Sequence, residues 1–167
     1  MEEKPLLHIG IDLGTKNSSL SYLNPQTNKI EFLKSDSGKD MIASAVSLAR
    51  LKFDGVIVGD TVLNETDVEY TLYDSKMLIG KKELIDFPEN VLSSWPFTVI
   101  YPRRNEPYQR IRMQSMNSAR KGERVEEDIL YPEEVTGLIV KDMIDRLYQT
   151  DIMKTHQLGN VVVCVPV

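Results

Sequence analysis

Seven consecutive residues, Asp12-Leu13-Gly14-Thr15-Lys16-Asn17-Ser18, gather a carboxylate, an ammonium group, hydroxyls and a glycine into one turn. Gly14 lets the backbone come close to a ligand, and successive amide N–H groups can point at phosphate oxygens. Thr15 adds a hydroxyl donor, and Asp12 at a strand end can hold a hydrated cation. The chemistry in prospect is phosphate binding. An ordinary hairpin with a polar turn has the same composition, because glycine turns between strands are common. The helix-capping phosphate loop is excluded: it needs four residues between its glycines and then Lys-Ser or Lys-Thr, whereas here Lys16 precedes Asn17.

The second candidate is Lys76, in the stretch YDSKMLIGKK. Asp74 or Ser75 suits a helix start, and Gly80 sits where a left-handed terminator belongs. Spacing alone makes Lys76 a solvated surface lysine, the commonest fate of that residue. His8 and His156 have no ligand spacing between them, so their default is structural or surface. The single cysteine, Cys164, lies inside the apolar run Val161 to Val165 and reads as a buried small hydrophobe.

The elements that must position these residues follow from periodicity. Leu7, Ile9 and Ile11, then Leu20 and Tyr22, give an opening hairpin from Leu6 to Leu23, and Lys29 to Lys34 adds a third strand after a Pro-Asn turn. Ala43 to Leu48 is a weak apolar stretch, Val56 to Val58 a strand, and Thr61 to Thr66 a short helix capped by Asp60. Pro88 to Ser94 makes a helical turn before Trp95-Pro96-Phe97, whose aromatics anchor a small subdomain. Tyr108 to Gln114 reads as a strand, Ser115 to Glu123 as a polar loop, and Asp128 to Tyr131 as a return strand.

Tyr131-Pro132-Glu133-Glu134 opens the best helix in the chain, with proline in the first turn and two glutamates opposing the helix dipole. Val135, Leu138, Ile139, Met143 and Leu147 share one face of it and should cover a sheet. Asp151 to Leu158 reads as connector. Val161 to Val165 is apolar at every position, the pattern of a strand buried on both faces, with the opening hairpin among its neighbours.

Composition narrows the class. The 167 residues suffice for one substantial core, and 41% hydrophobic with 27% charged residues are ordinary values for a globular chain. A net charge of −5 argues against a nucleic-acid surface. Arg103, Arg104, Arg110, Arg112, Arg120, Lys121 and Arg124 do make the middle locally basic, but Glu123, Glu126, Glu127 and Asp128 offset them, so a solvated hairpin is expected there. The acidic start and the absence of a run of roughly 20 apolar residues point to a cytoplasmic protein that does not engage a membrane.

Taken together, GIDLGTKNS, the SDSG turn, VIVGD, LYDSKMLIGKK, SSWPF, YPEEVTGLIVKDM and VVVCVPV resemble, in order and approximate spacing, the nucleotide-binding domain of the seventy-kilodalton heat-shock chaperones. The resemblance covers nearly the whole chain except about 103–129. It implies an α/β chain of the actin-like ATPase (ribonuclease H-like) fold, here a first-lobe fragment with an inserted α+β subdomain. The first-lobe core would be 1–42 and 131–167, and the insertion 43–130. It implies ATP or ADP with Mg2+ as cofactors, with Asp12 on the metal and Gly14, Thr15, Lys16, Asn17 and Lys76 on the nucleotide. It assigns catalysis to Lys76 and Thr15; for Lys76, Asp-x-Lys-x-Leu-Ile-Gly matches the stretch that supplies the lysine near the γ-phosphate. Pro166 matches the proline tied to interdomain signalling.

Three positions depart from the family pattern: Lys16 stands where threonine is usual, Met77 where arginine is, and Ala43 where proline is. The stretch Gln114 to Asp128 is longer than the family hairpin. Family members continue beyond the Val-Pro pair with a second phosphate loop, an adenine-binding lobe and a peptide-binding domain, so the chain is expected to be a fragment, inactive by itself and prone to self-association. The implied function is that of the front part of an ATP-dependent chaperone, which couples slow hydrolysis to protein folding and meets unfolded clients and co-chaperones through the complete protein. The alternatives are a non-hydrolysing regulatory or nucleotide-exchange partner that binds ATP structurally, and an actin-like filament protein, which would not be expected to carry YDSKMLIG, WPF and YPEE together.

Overall fold

A computed structural model describes residues 3–48, 56–64, 70–81, 83–84, 87–102, 111–115 and 129–164. Strands β1 (Leu6–Asp12) and β2 (Asn17–Asn24) form the antiparallel opening hairpin, and β3 (Lys29–Phe32) pairs with β2. Leu7, Ile9 and Ile11 are buried while Leu6, His8 and Asp12 are exposed, the alternation expected of a half-covered sheet. The short strand β4 (Ile42–Ala43) pairs with β2 at Asn17 and Ser18, so it lies beside the turn that opens β2.

The chain then builds two small sheets. In the first, β5 (Ala45–Ser47) lies between β6 (Ile57–Val58) and β7 (Thr71–Tyr73). In the second, β9 (Arg112–Ser115) lies between β8 (Phe97–Ile100) and β10 (Ile129–Leu130). Short helices α1 (Asp60–Asn64), α2 (Ser75–Leu78) and α3 (Glu89–Leu92) punctuate them. Trp95 and Phe97 are buried, with rings stacked at 5.1 Å and Phe87 edge-on to Trp95 at 5.7 Å, so the aromatic anchor expected from Trp-Pro-Phe exists. The strand expected over 108–114 is described only as β9, since 103–110 and 116–128 lie outside the described residues.

Helix α4 (Pro132–Tyr148) is the longest described element. Proline opens it without loss of a needed donor, and the Glu134 carboxylate accepts the Tyr131 N–H at 2.7 Å, closing its first turn. Val135, Ile139, Met143 and Leu147 are buried in the same apolar cluster as Leu7, Ile9, Ile11 and Leu20, while Leu138, at the margin of that face, is half-buried. Near its other end Arg146 donates to Asp142, to Asp36 in the turn after β3, and to the Val58 carbonyl, tying the helix to two other elements. These bonds hold the Asp36 carboxyl below the usual range, whereas burial pushes Asp142 up against the pull of the same guanidinium.

Several expectations are corrected. The segment read as connector folds instead into α5 (Ile152–Thr155) and the start of β11 (Gln157–Cys164), which pairs parallel to β1. Pairing with the opening hairpin is as expected, but burial on both faces is not. Val161, Val162 and Val163 are 41%, 63% and 44% exposed, and Cys164 is exposed with a free thiol. The physical reason is place in the sheet: among the described residues β11 is at its edge, with β1 as its one strand neighbour, and none of them packs over Val161–Val163. Asp60 begins α1 but does not cap it; its carboxylate accepts from the Ser35 and Ser37 hydroxyls and from the Ala43 N–H at 3.2 Å. No helix among the described residues is long and apolar enough to cross a membrane.

Candidate functional site

The turn between β1 and β2 is held by its backbone. Ser44, just past β4, donates its amide to the Lys16 carbonyl at 2.8 Å and its hydroxyl to the Gly14 carbonyl at 2.9 Å. Ser18 and Ser44 share a further buried hydrogen bond of 2.9 Å, and the Leu13 N–H donates to Cys164 on β11 at 3.2 Å. The carbonyls of the turn are thus satisfied from one side, while the amide N–H groups of Gly14, Thr15 and Lys16 have no protein acceptor among the described residues. Such a row of free donors suits an anion. Gly14 is required by the turn itself: a Cβ there would sit 2.0 Å from the Asn17 carbonyl oxygen, so the chain reversal leaves no room for a side chain.

Across a cleft of about 320 Å3, Thr15 and Lys16 face Tyr73, Asp74 and Ser94, with Ala43, Ser44, Ala45 and Leu63 completing the lining. The far wall is held by side chains. Asp74 has φ of 56°, in the left-handed region, and its carboxylate accepts from the Trp95 indole N–H at 3.1 Å instead of capping α2. Tyr73 donates its hydroxyl to the Ser94 carbonyl at 3.0 Å, and burial followed by the nearby Asp74 charge pushes the Tyr73 hydroxyl pKa up. Ser75 and Thr136 share a hydrogen bond of 3.2 Å that fastens α2 to α4. Gly80, with φ of 73°, ends this segment in the left-handed conformation expected of it.

Lys76 lies on α2, two residues beyond the cleft-lining Asp74. Its Nζ is buried and has no hydrogen-bond partner among the described residues. This is the opposite of a solvated surface lysine, and a desolvated ammonium with nothing to pair with is an anion site in waiting.

The structure therefore brings Thr15 and Lys16 together with the segment that carries Lys76. Gly14 and Asn17 belong to the same turn but do not line the cleft, and Asp12 stands exposed at the end of β1. Among the described residues no group of three or more His, Cys, Asp or Glu side chains could hold a metal, so a cation at Asp12 would complete its shell from phosphate and water. Pro166 lies outside the described residues. Residue-type reasoning passed over Ser44, which anchors the turn from a weak apolar stretch, and gave Trp95 a packing role without its polar contact. The one available signal was the unsatisfied indole N–H that any buried tryptophan brings.

The donors of the turn at 14–16 and the segment that carries Lys76 therefore stand on opposite sides of one cleft. The model of the Hsp70 protein family matches residues 8–167, and the chain belongs to that family. A human heat shock 70 kDa relative is 27% identical over 139 residues, covering 82% of this chain and 34% of its own length. Bovine heat shock 70 kDa protein 13 is 34% identical over 94 residues, 55% of this chain and 19% of the relative. Heat shock cognate 70 kDa protein 3 of Dictyostelium discoideum is 30% identical over 101 residues, 59% of this chain and 15% of the relative. The chain spans about a third or less of the length of these relatives.

Proposed function

We propose that this chain contributes a phosphate-binding turn and a catalytic lysine to the ATPase site of a chaperone with an actin-like fold, the site lying between a core of 1–42 and 131–167 and an inserted unit of 43–130. The observation that carries the reading is the Lys76 ammonium, buried and without a hydrogen-bond partner among the described residues, on the helix that follows Asp74, which lines the cleft together with Thr15 and Lys16. The residues fit ATP and a divalent cation: the free amides of 14–16 bind phosphate oxygens, the Thr15 hydroxyl adds a donor, and Asp12 holds the hydrated ion. Mg2+, when bound, supplies positive charge on the phosphate oxygens. Lys76 meets the negative charge that develops as the phosphoryl group passes to water, and it does so from a desolvated position, where its field is strongest. The complete protein would couple this turnover to the binding of unfolded clients and to co-chaperones.

Single-turnover hydrolysis of MgATP by the complete polypeptide tests the proposal. Lys76→Ala should lose turnover by about 10²–10³-fold while ATP binding changes little, the signature of a group that acts on developing charge. A wild-type rate in that variant removes Lys76 from the mechanism. Lys16 favours a second reading, a non-hydrolysing relative that binds ATP structurally, because it puts an ammonium on the cleft wall where the family has threonine. Tight ATP binding without measurable turnover in the wild type would decide for that one.

A further inference from the structure

Lys76 is useful to an anion only if the segment before it is held still, and that segment is strained. Asp74 adopts φ 56° and ψ 16°, a conformation that costs a non-glycine residue energy, though aspartate less than most. From it the backbone turns directly into α2, the Met77 N–H bonding back to the Asp74 carbonyl at 2.9 Å. Two hydrogen bonds over-determine this conformation: the Trp95 indole N–H on the Asp74 carboxylate at 3.1 Å, and the Tyr73 hydroxyl on the Ser94 carbonyl at 3.0 Å. These two bonds join residues 73–74 to 94–95 side by side. The indole itself is immobilised, 3% exposed, stacked on Phe97 and edge-on to Phe87, while Phe97 also meets Tyr73 edge-on at 6.0 Å.

We propose that Trp95 is a positioning residue for Lys76: its N–H holds Asp74 left-handed, and this sets the direction in which α2 presents the lysine. The inference rests on the reading of Lys76 as the phosphate-facing cation. It gives a polar function to a side chain that packing alone would explain as well with phenylalanine. It also explains why the Asp74 carboxylate, at the position before a helix, does not cap that helix.

Trp95→Phe keeps the aromatic stack and removes the donor, and Asp74→Ala leaves the stack untouched and removes the acceptor. Asp74→Asn is the conservative variant, because its amide oxygen still accepts the indole N–H and asparagine tolerates the left-handed region. Site-resolved acetylation of the 167-residue chain, read by mass spectrometry, reports the shielding of each lysine without any nucleotide. In the wild type Lys76 should label far more slowly than Lys141, whose side chain is 70% exposed. Trp95→Phe and Asp74→Ala should each speed Lys76 about fivefold or more relative to Lys141 and Lys34, with Asp74→Asn close to wild type. In the complete polypeptide, Trp95→Phe should lower the single-turnover rate about tenfold while the ATP dissociation constant moves less than about threefold, as expected of a misplaced catalytic group.

Unchanged Lys76 labelling in Asp74→Ala overturns the proposal. So does a uniform rise across all lysines in both variants, which would mean that the bond serves general stability. If the wild-type polypeptide neither binds nor hydrolyses ATP, the functional reading fails, yet the labelling ratios still decide whether Trp95 positions Lys76.

Discussion

The two walls of the cleft achieve rigidity by opposite means. On the first, the turn after β1 is fixed through main-chain carbonyls that Ser44 satisfies, and the side chains of Asp12, Lys16 and Asn17 stand in solvent. On the second, Tyr73, Asp74 and Ser75 each use a side chain to fasten the backbone, and the functional candidate Lys76 has its charge buried. A wall held by its backbone leaves its side chains free to change but tolerates no added atom in the turn. A wall held by side chains is sensitive at each of them.

Gly14→Ala attacks the first wall where it is least adaptable. A methyl group 2.0 Å from the Asn17 carbonyl oxygen forces the turn open, and we expect a loss on the order of 3 kcal/mol in stability together with loss of ATP binding. Urea titration of the chain checks the first effect and calorimetry with MgATP the second. A neutral result would mean that the turn can relax, and the contrast between the walls would disappear.

Lys76→Met should act in the opposite direction on stability. Replacing a buried, unpartnered ammonium with an apolar chain of similar length should stabilise the nucleotide-free chain by about 1–2 kcal/mol, while turnover in the complete polypeptide is lost. The same urea titration reads it. A variant less stable than the wild type would show that the ammonium has a stabilising partner.

Acid should loosen the first wall before the second. Hydrogen bonds from Ser37 and Ser35 hold Asp60 below the usual carboxylate range, and Asp60 in turn accepts the N–H of Ala43 on the cleft wall; Arg146 and Thr61 do the same for Asp36. Both folded values lie below the unfolded value of about 3.9, so this stability is present above that pH and is lost as pH falls through the lowered folded values. Asp142, raised by burial, works the other way and gains from protonation. With the Arg146–Asp36 pair half in solvent the net effect should be about 1 kcal/mol or less. Amide protection at Ser44, corrected for the intrinsic exchange rate, should fall in acid before protection at Met77, whose N–H donates to the Asp74 carbonyl, and Arg146→Met should flatten the acid limb of stability; simultaneous loosening would refute the difference.

Lys16→Thr should have the smallest effect. The side chain is exposed and forms no ion pair among the described residues, so we expect ATP binding to weaken only about two- to fivefold, with a shallower salt dependence. Calorimetry at two salt concentrations measures both, and a tighter complex would mean that Lys16 crowds the phosphates.

Local rules made much of this legible. The hairpin is readable because its apolar residues alternate, α4 because its apolar residues recur at helical spacing behind Pro132 and two glutamates, and the terminator role of Gly80 because left-handed backbone favours glycine. The turn at 12–17 was recognisable as a candidate from residue types alone. Lys76 was not: nothing in its neighbours tells a buried lysine from a solvated one, and only the ordered set of motifs singled it out. Ser44 and Trp95 escaped notice because their partners are distant in sequence, Ser44 donating to Gly14 and Trp95 to Asp74.

What the sequence determined by itself is therefore the local geometry: which stretches alternate, where helices start and stop, and which turn has donors to spare. Tertiary structure alone decided what is desolvated. The apolar run at Val161–Val163 is exposed because β11 lies at a sheet edge, and the Lys76 ammonium is buried because α2 is pinned to α4 through Ser75 and tied to Trp95 through Asp74. Burial depends on what the rest of the chain packs around a residue, and that is not encoded in the residue's own neighbours.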